Sequence, residues 1–165
     1  MQRHIIHRSE EVTSRITWGH WEGDTIHFPK DQKGCVTTLV ERKSRFVCLR
    51  KNERKSAPKI IERIYNAIQS SPGKIWESIT FDQGPEFMGY RFLECKTKCR
   101  IFFCDPSSPW QRGSNENTNG RLGCYLPKKH PIDETSREDL DRIAALVNNT
   151  PRKCLEYQTP REVFI

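Results

Sequence analysis

Three acidic residues have the types and spacing of a carboxylate metal site. Asp82 follows the strand-like run 79–81 and precedes a Gly-Pro turn, Asp24 ends the run 20–24, and Glu116 lies in a polar segment. A carboxylate at the end of a buried strand is costly to hold there without a partner. Converging carboxylates without an interleaved His or Cys favour a hard cation, Mg²⁺ or Mn²⁺. Two such ions would activate a water or a sugar hydroxyl and stabilise the leaving oxygen of a phosphodiester. The alternative is that each acid only caps or solvates a strand end.

The composition is that of a basic, single-domain protein. A chain of 165 residues has room for one domain with a real core, and its net charge of +7 suits a polyanionic partner. The alternative is a basic protein without such a partner. No apolar run approaches the roughly 18 residues of a membrane span, and the N-terminus lacks the apolar stretch of a signal peptide. We therefore expect a cytoplasmic protein with no membrane partner.

The seven cysteines are odd in number, scattered, and without any Cys-x-x-Cys pair, which argues against a zinc ribbon. Ligand roles for Cys95, Cys99 and Cys104 are the less favoured interpretation. Cys35, Cys48 and Cys104 lie in apolar, strand-like segments and are simpler to explain as small buried hydrophobes. Reduced thiols in a cytoplasm are the expectation.

Hydrophobic periodicity gives the elements that must position the acids. Residues 1–18 are polar and without period, so we expect an N-terminal tail or linker remnant there and one core over 19–165. Alternation predicts strands over 19–28, 35–40, 45–49, 78–81 and 100–104. On the first of these, the side chains of His20, Glu22 and Asp24 share one face.

Helical spacing separates the later strands. It predicts helices over 57–68, stopped at 71–73, and over 87–97, with a third that carries Glu116 and is capped by Ser114 or Asn115. Ser136 and Asp139 resemble a capping box for the next helix, and a short helix begins after Thr159. Because helical crossovers favour parallel neighbours, the sequence predicts an α/β fold with a mixed five-stranded sheet, three antiparallel strands then two parallel, flanked by helices.

Five motifs follow one another along the chain. They are GHWEGD at 19–24, FDQGPEF at 81–87, DPSSPWQRG at 105–113, NENTNG at 115–120 and the polar tail segment 148–160. In this order they resemble the insertion-sequence-thirty family of bacterial DDE transposases. The resemblance spans about residues 19 to 164. It is specific because five motifs occur in order, whereas each motif alone would be weak.

The resemblance implies a ribonuclease-H-like fold shared with retroviral integrase cores. It implies metal-dependent nicking at transposon ends, followed by attack of the freed 3′-hydroxyl on a second phosphodiester. Asp24, Asp82 and Glu116 then take the catalytic and metal-ligand roles, with Mg²⁺ or Mn²⁺, as two ions, for the cofactor. Transposon ends and target DNA are the implied partners, in a homo-oligomeric active complex.

The chain departs from the family pattern in three places. Gln83 stands where the second motif usually has Asn, and the segment 126–131 matches only in part. The family normally carries an N-terminal helix-turn-helix region that recognises transposon ends, and this chain starts just before the catalytic core. We therefore expect a fragment, a truncated copy or a core-only protein.

Residues around the acids are candidates for contact with DNA or for support of the site. The predicted DNA contacts, each with a solvated surface as its alternative, are Arg112, Asn117, Asn119, Arg121, Lys128 and Lys129. The predicted supporting residues are His20, Glu22, Gln83 and Trp110. A structural role is favoured for His20 over DNA contact, and Trp110 is expected to pack under the active-site helix rather than stack on a base.

Two other functions stay open at this point. One is a ribonuclease-H-like nuclease that cuts without strand transfer, and the other is a truncated, non-catalytic DNA-binding remnant. Intact acids argue against the second, and the missing recognition region argues for it.

Overall fold

The computed structural model describes residues 4–29, 31–71, 75–106 and 108–164. Within these ranges, five strands form one mixed sheet: β1 (His20–His27), β2 (Cys35–Glu41), β3 (Val47–Asn52), β4 (Ser78–Phe81) and β5 (Arg100–Phe103). Their order across the sheet is β3-β2-β1-β4-β5. The β1, β2 and β3 pairs are antiparallel, whereas β4 is parallel to both β1 and β5. The predicted mixed sheet, with three antiparallel strands and then two parallel ones, is confirmed.

Helices cover the sheet. They are α1 (Glu10–Thr13), α2 (Ala57–Gln69), α3 (Tyr90–Thr97), α4 (Gly113–Leu122), α5 (Arg137–Asn148) and α6 (Pro160–Phe164). Single turns of 3₁₀ helix lie at Ile5–His7, Pro85–Phe87, Pro109–Arg112 and Lys153–Leu155. The predicted capping box of α5 is confirmed, because the Asp139 N–H donates to Ser136 Oγ and the Ser136 N–H donates to Asp139. Of the predicted stop of α2 at 71–73, residues 72 and 73 lie outside the described ranges.

Side-chain alternation along the strands creates two apolar cores, one on each face of the sheet. One core packs Trp21, Leu39 and Phe81 against α2 and α3, through residues such as Ile64 and Leu93. The other packs alternate residues of β2 and β3 against α4 and α5, and its members include Val36, Val40, Val47, Leu49, Leu122, Leu140 and Val147. Burial on both faces explains why β2 has no exposed residue.

The N-terminal residues correct one expectation. Instead of an unstructured tail, residues 4–18 contain two short helical turns, with Ile5 and Val12 buried. Arg42 donates hydrogen bonds to the carbonyl oxygens of Val12 and Thr13, at 3.3 Å each. Helices this short are not stable alone, so tertiary contacts determine them and the local sequence carries little signal.

Two helices also begin at positions other than those predicted. The helix expected from residue 87 begins at Tyr90, after the 3₁₀ turn that contains Phe87. In α4, Ser114 and Asn115 lie inside the first turn rather than at the cap, and both are buried. Their side chains contact other elements instead of the helix end: Ser114 Oγ accepts from Arg45, and Asn115 bonds to β1 and β2.

No helix within the described residues has both the length and the apolar character needed to cross a bilayer. All seven cysteines are free, and Cys35, Cys99 and Cys104 are buried.

Gly23 lies where β1 and the ring of Phe81 touch. A Cβ atom on Gly23 would lie 2.3 Å from Phe81 Cε1 and 2.6 Å from Cδ1. The ring is fully buried and stacks on Phe87 with ring centroids 4.2 Å apart, so it has no room to withdraw. The absence of a side chain at Gly23 therefore sets the distance between β1 and the apolar core.

We expect Gly23→Ala to lower the free energy of unfolding by about 1–3 kcal/mol through overpacking against Phe81. The matched control is Gly120→Ala in α4, where an added Cβ meets nothing within 4 Å. It should leave stability unchanged or raise it by about 0.5–1 kcal/mol, since Ala is the better helix former. Urea unfolding followed by circular dichroism measures both, and equal effects would contradict the packing argument.

Candidate active site

Two of the three predicted acids are brought together by strand register. In the parallel pair of β1 and β4, His20 pairs with Ser78, Trp21 with Ile79 and Glu22 with Thr80. The same sequence offset separates Asp24 from Asp82, which follows the last residue of β4. The two strands therefore carry both carboxylates to the same face of the sheet.

Arg112 bridges these two carboxylates. Its Nη1 lies 3.3 Å from Asp24 Oδ1, and its Nη2 lies 3.2 Å from Asp82 Oδ2. Nη1 also donates to the carbonyl oxygen of Gly23, at 3.1 Å. Asn119 of α4 donates from Nδ2 to the second oxygen of Asp24, at 2.9 Å. Only 13% of the Arg112 side chain is exposed, so one partly buried cation serves two carboxylates.

Burial and charge act against each other in this group. Burial raises the pKa of Asp82, and the Gly84 N–H and Arg112 partly oppose that rise. For Arg112, burial disfavours the charged form, but Asp24 and Asp82 outweigh it and raise the pKa. With the cation retained, two carboxylates and one guanidinium keep a net negative charge. The group therefore still attracts cations.

Glu116 joins this group from one side. It is exposed on α4 and lines a cavity of about 150 Å³ with Asp24, Arg112 and Asn119. Asp82 lines a different cavity, of about 420 Å³, which shares Arg112 with the first. In the part of the chain that the structure describes, no three or more His, Cys, Asp or Glu side chains form a group able to hold a metal ion. The acids thus lie around Arg112 and not around one common point.

A buried carboxylate, that of Glu22, links the strand of Asp24 both to Arg42 and to the helix of Glu116. Glu22 is fully buried, and its Oε1 lies 2.5 Å from Nη1 of Arg42, whose side chain is 3% exposed. Its other oxygen, Oε2, accepts from the backbone N–H of Asn115, at 2.8 Å. The Asn115 amide completes the link by donating to the Glu22 carbonyl oxygen, at 3.0 Å. One oxygen of Glu22 therefore pairs with Arg42, and the other holds α4 against β1.

The other predicted supporting residues have separate surroundings. His20 is buried with Nδ1 2.7 Å from Ser78 Oγ, and burial, with help from Arg100, lowers its pKa to about 4. A neutral imidazole in that position fits the predicted structural role. Gln83 donates to the carbonyl oxygen of Cys104, at 3.1 Å.

Trp110 is 71% exposed, so the expectation that it packs under the active-site helix is wrong. Base stacking by Trp110 stays a prediction.

The predicted DNA contacts fall into two groups. Arg112 and Asn119 are engaged with the carboxylates. The remaining members are exposed on α4 or in the loop that follows it, namely Asn117, Arg121, Lys128 and Lys129. Within that second group, Arg121 Nε donates to Asn117 Oδ1 at 3.3 Å. Contact of these residues with DNA stays a prediction.

Two roles were missed by sequence reasoning. The counter-charge role of Arg112 has only one sequence signal, a cation directly before the helix of Glu116. The pairing of Arg42 with Glu22 has none, because Arg42 lies in the short link after the second strand-like segment, with several other cations nearby.

The chain is similar to known transposases over nearly its whole length. No protein-family model matches it. It is 38% identical over 160 residues to the transposase InsI for insertion sequence element IS30C of Escherichia coli, covering 97% of this chain and 41% of that protein. It is 42% identical over 157 residues to the transposase for insertion sequence element IS1086 of Cupriavidus metallidurans, covering 95% and 46%. The resemblance predicted from the motifs is confirmed. The chain spans less than half the length of these relatives.

The fold is similar to that of retroviral integrase catalytic cores. The catalytic core domain of BIV integrase matches with a TM-score of 0.69 and 21% identity, covering 90% of this chain and 94% of that one. The HTLV-2 integrase catalytic core domain, in complex with magnesium and in a dimeric form, matches with a TM-score of 0.63 and 20% identity, covering 88% and 95%. The predicted ribonuclease-H-like fold is confirmed.

We expect Glu22→Gln to lower the free energy of unfolding by about 3–5 kcal/mol, because it leaves the buried charge of Arg42 without a partner. The control is Glu116→Gln, the same chemical change at an exposed position of the neighbouring helix, which should stay within about 0.5 kcal/mol. Urea unfolding of the two variants and the unaltered chain gives the comparison. Similar stabilities for both variants would show that the fold does not depend on the pairing of Glu22 with Arg42.

Proposed function

We propose that this chain is the catalytic core of a DNA transposase, which nicks DNA at the ends of a mobile element and joins the freed 3′-hydroxyl to a second phosphodiester. The observation that carries the proposal is the convergence of Asp24 and Asp82, from neighbouring parallel strands, on the single cation Arg112. It occurs in a chain that is 38% identical to an insertion-sequence transposase over 160 residues. A carboxylate whose pKa is raised by burial, next to a specific charge partner in a cleft, is typical of functional sites.

The partners follow from the same proposal. DNA of the element ends and of the target is the substrate, which suits a net charge of +7. A homo-oligomer is the active form, in line with the dimeric form of the HTLV-2 core. The chain covers only 41% of the InsI transposase. The transposase activity of that whole protein is therefore proposed for this chain and not transferred to it. The reaction would take place in the bacterial cytoplasm, on the nucleoid.

The carboxylates of Asp24, Asp82 and Glu116 are chemically suited to bind a divalent metal ion. Carboxylate oxygens without His or Cys suit Mg²⁺ or Mn²⁺, and the structurally similar HTLV-2 core is in complex with magnesium. We propose that Asp24, Asp82 and Glu116 hold the metal, as two ions, once Arg112 has left the aspartates, because the three acids do not meet at one point while Arg112 lies between them. Bound there, the ions would activate a water or a 3′-hydroxyl and offset charge on the leaving oxygen.

The chain's own residues have distinct tasks in this scheme. Asn119 keeps Asp24 oriented through its 2.9 Å hydrogen bond, and Glu22 keeps α4 on β1. Arg112 has to leave both aspartates before their oxygens can serve as ligands, because its guanidinium already contacts each of them. Once released, the same guanidinium suits a phosphate oxygen of the DNA. Arg112 thus supplies the positive charge between the aspartates until substrate and cofactor arrive.

We expect Asp82→Asn to reduce Mn²⁺-dependent nicking of a duplex that carries an insertion-sequence end by about a thousandfold or more, since a metal ligand contributes several kcal/mol to the reaction. The variant should remain folded by circular dichroism. Asp105→Asn is the matched control, because Asp105 lines the same cavity as Asp82 but is bound to His4 and Gln111 in a turn. It should keep most of the activity.

The products separate the possible functions. Nicked and joined DNA supports a transposase, whereas nicking without joining would support a ribonuclease-H-like nuclease. Retention of DNA without any cutting would support a non-catalytic binding remnant. Undiminished cutting by Asp82→Asn would overturn the ligand assignment.

A further inference from the structure

A second concentration of charge lies away from the acids. Strand β3, helix α2 and the start of α5 surround a cavity of about 510 Å³. Its lining includes Arg50 and Lys51 of β3, Arg63 of α2 and Arg137 of α5, with Glu53 as the carboxylate on its wall. We call this the basic cavity. Four cations and one carboxylate give its lining a net charge of about +3 at neutral pH.

The basic cavity is separate from the candidate active site. Strand β3 is the outer strand of the sheet, and β2 separates it from β1, which carries Asp24. Among the residues that the structure describes, the basic cavity shares no lining residue with the two cavities that contain Asp24, Glu116 and Asp82. Its residues were also absent from the DNA contacts predicted from the sequence. A ligand here would therefore be additional to the one at the acids.

The two cations of β3 are held by neutral acceptors. Lys51 Nζ donates to the carbonyl oxygens of Asp133 and Thr135, at 3.0 and 2.5 Å. Arg50 Nη1 donates to the carbonyl oxygen of Leu49, at 2.8 Å. Carbonyl oxygens orient these groups but do not cancel their charge. The Asp133 carboxylate interacts with Lys51 at longer range. Within the described residues, however, neither cation forms an ion pair within 4.0 Å, so both still attract an anion.

The two helical cations are also poorly compensated. Arg137 Nε lies 4.0 Å from Asp141, with 70% and 55% of the two side chains exposed, and such pairs contribute little. Arg63 makes no ion pair within 4.0 Å with any carboxylate in the described part of the chain. Like charges that share one cavity repel one another, so an anion bound among them lowers the energy of the arrangement.

We propose that the basic cavity binds the phosphodiester backbone of DNA, as a second DNA contact apart from the cutting site. This inference rests on the proposed function, since a strand-transfer enzyme holds two DNA segments. Guanidinium forks match phosphate oxygens, and the lining contains no aromatic side chain on which a base would stack. Contact with backbone phosphates alone makes this binding independent of sequence and strongly dependent on salt.

The test compares two double variants with equal loss of charge. Arg63→Gln with Arg137→Gln removes two cations of the basic cavity, one from α2 and one from α5. Lys59→Gln with Arg142→Gln removes two exposed cations from the same helices, neither of which lines the cavity. Fluorescence anisotropy with a labelled duplex of mixed sequence, measured over a salt series, reports the affinity of each. Circular dichroism checks that both variants are folded.

We expect the cavity variant to lose about tenfold or more in duplex affinity at physiological salt, and its salt slope to fall by about 2. The control variant should change by less than about twofold, as expected for a change in overall charge alone. Equal losses in the two variants would overturn the proposal. Retained affinity in the cavity variant would overturn it as well.

A calorimetric titration with inorganic phosphate distinguishes the source of the phosphate. If phosphate binds to the unaltered chain but not to the cavity variant, and duplex affinity is the same in both variants, the cavity takes a small phosphate ligand and the DNA assignment is wrong. The same experiments distinguish a failure of the cavity proposal from a failure of the proposed function. An unaltered chain that nicks the duplex, with two variants that bind it alike, contradicts the basic cavity alone. An unaltered chain that neither binds nor nicks it contradicts the proposed function.

Discussion

Two carboxylates that parallel strands bring side by side repel each other unless a cation lies between them, and this requirement organises the candidate site. The register of β1 and β4 sets the positions of Asp24 and Asp82, so neither can avoid the other. Arg112 supplies this cation, and it lies in the turn directly before α4. The same contact that reduces the repulsion between the aspartates therefore also positions the helix that carries Glu116.

The second constraint is the buried ion pair of Glu22 and Arg42. A buried pair is weak support for stability in itself, because taking two charges out of water costs about as much as their attraction returns. Its value here is geometric. One carboxylate oxygen contacts Arg42, which also holds the backbone of the N-terminal residues, while the other holds Asn115. Strand β1, helix α4 and the N-terminal segment are thereby fixed to one point next to the acids.

The sequence predicted the parts of the fold that depend on local patterns. Strand alternation, helix periodicity and the capping box at Ser136 all arise within a few residues, and the structure has each of them. The pairing of Glu22 with Arg42, the bridging by Arg112 and the exposure of Trp110 depend on which distant segments meet. No local pattern encodes that choice. The motifs supplied the identity of the acids, but the cation between them is a property of the folded chain.

In the proposed function, a divalent cation takes the place that Arg112 occupies between Asp24 and Asp82. Calorimetric titration of Mn²⁺ into the unaltered chain and into Arg112→Ala tests it most directly, with Arg121→Ala as a control on the same segment. We expect Arg112→Ala to bind Mn²⁺ about fivefold more tightly, because a competing ion pair of roughly 1 kcal/mol is removed. Arg121→Ala should match the unaltered chain. A folded Arg112→Ala variant that binds Mn²⁺ no better than the unaltered chain would contradict the account.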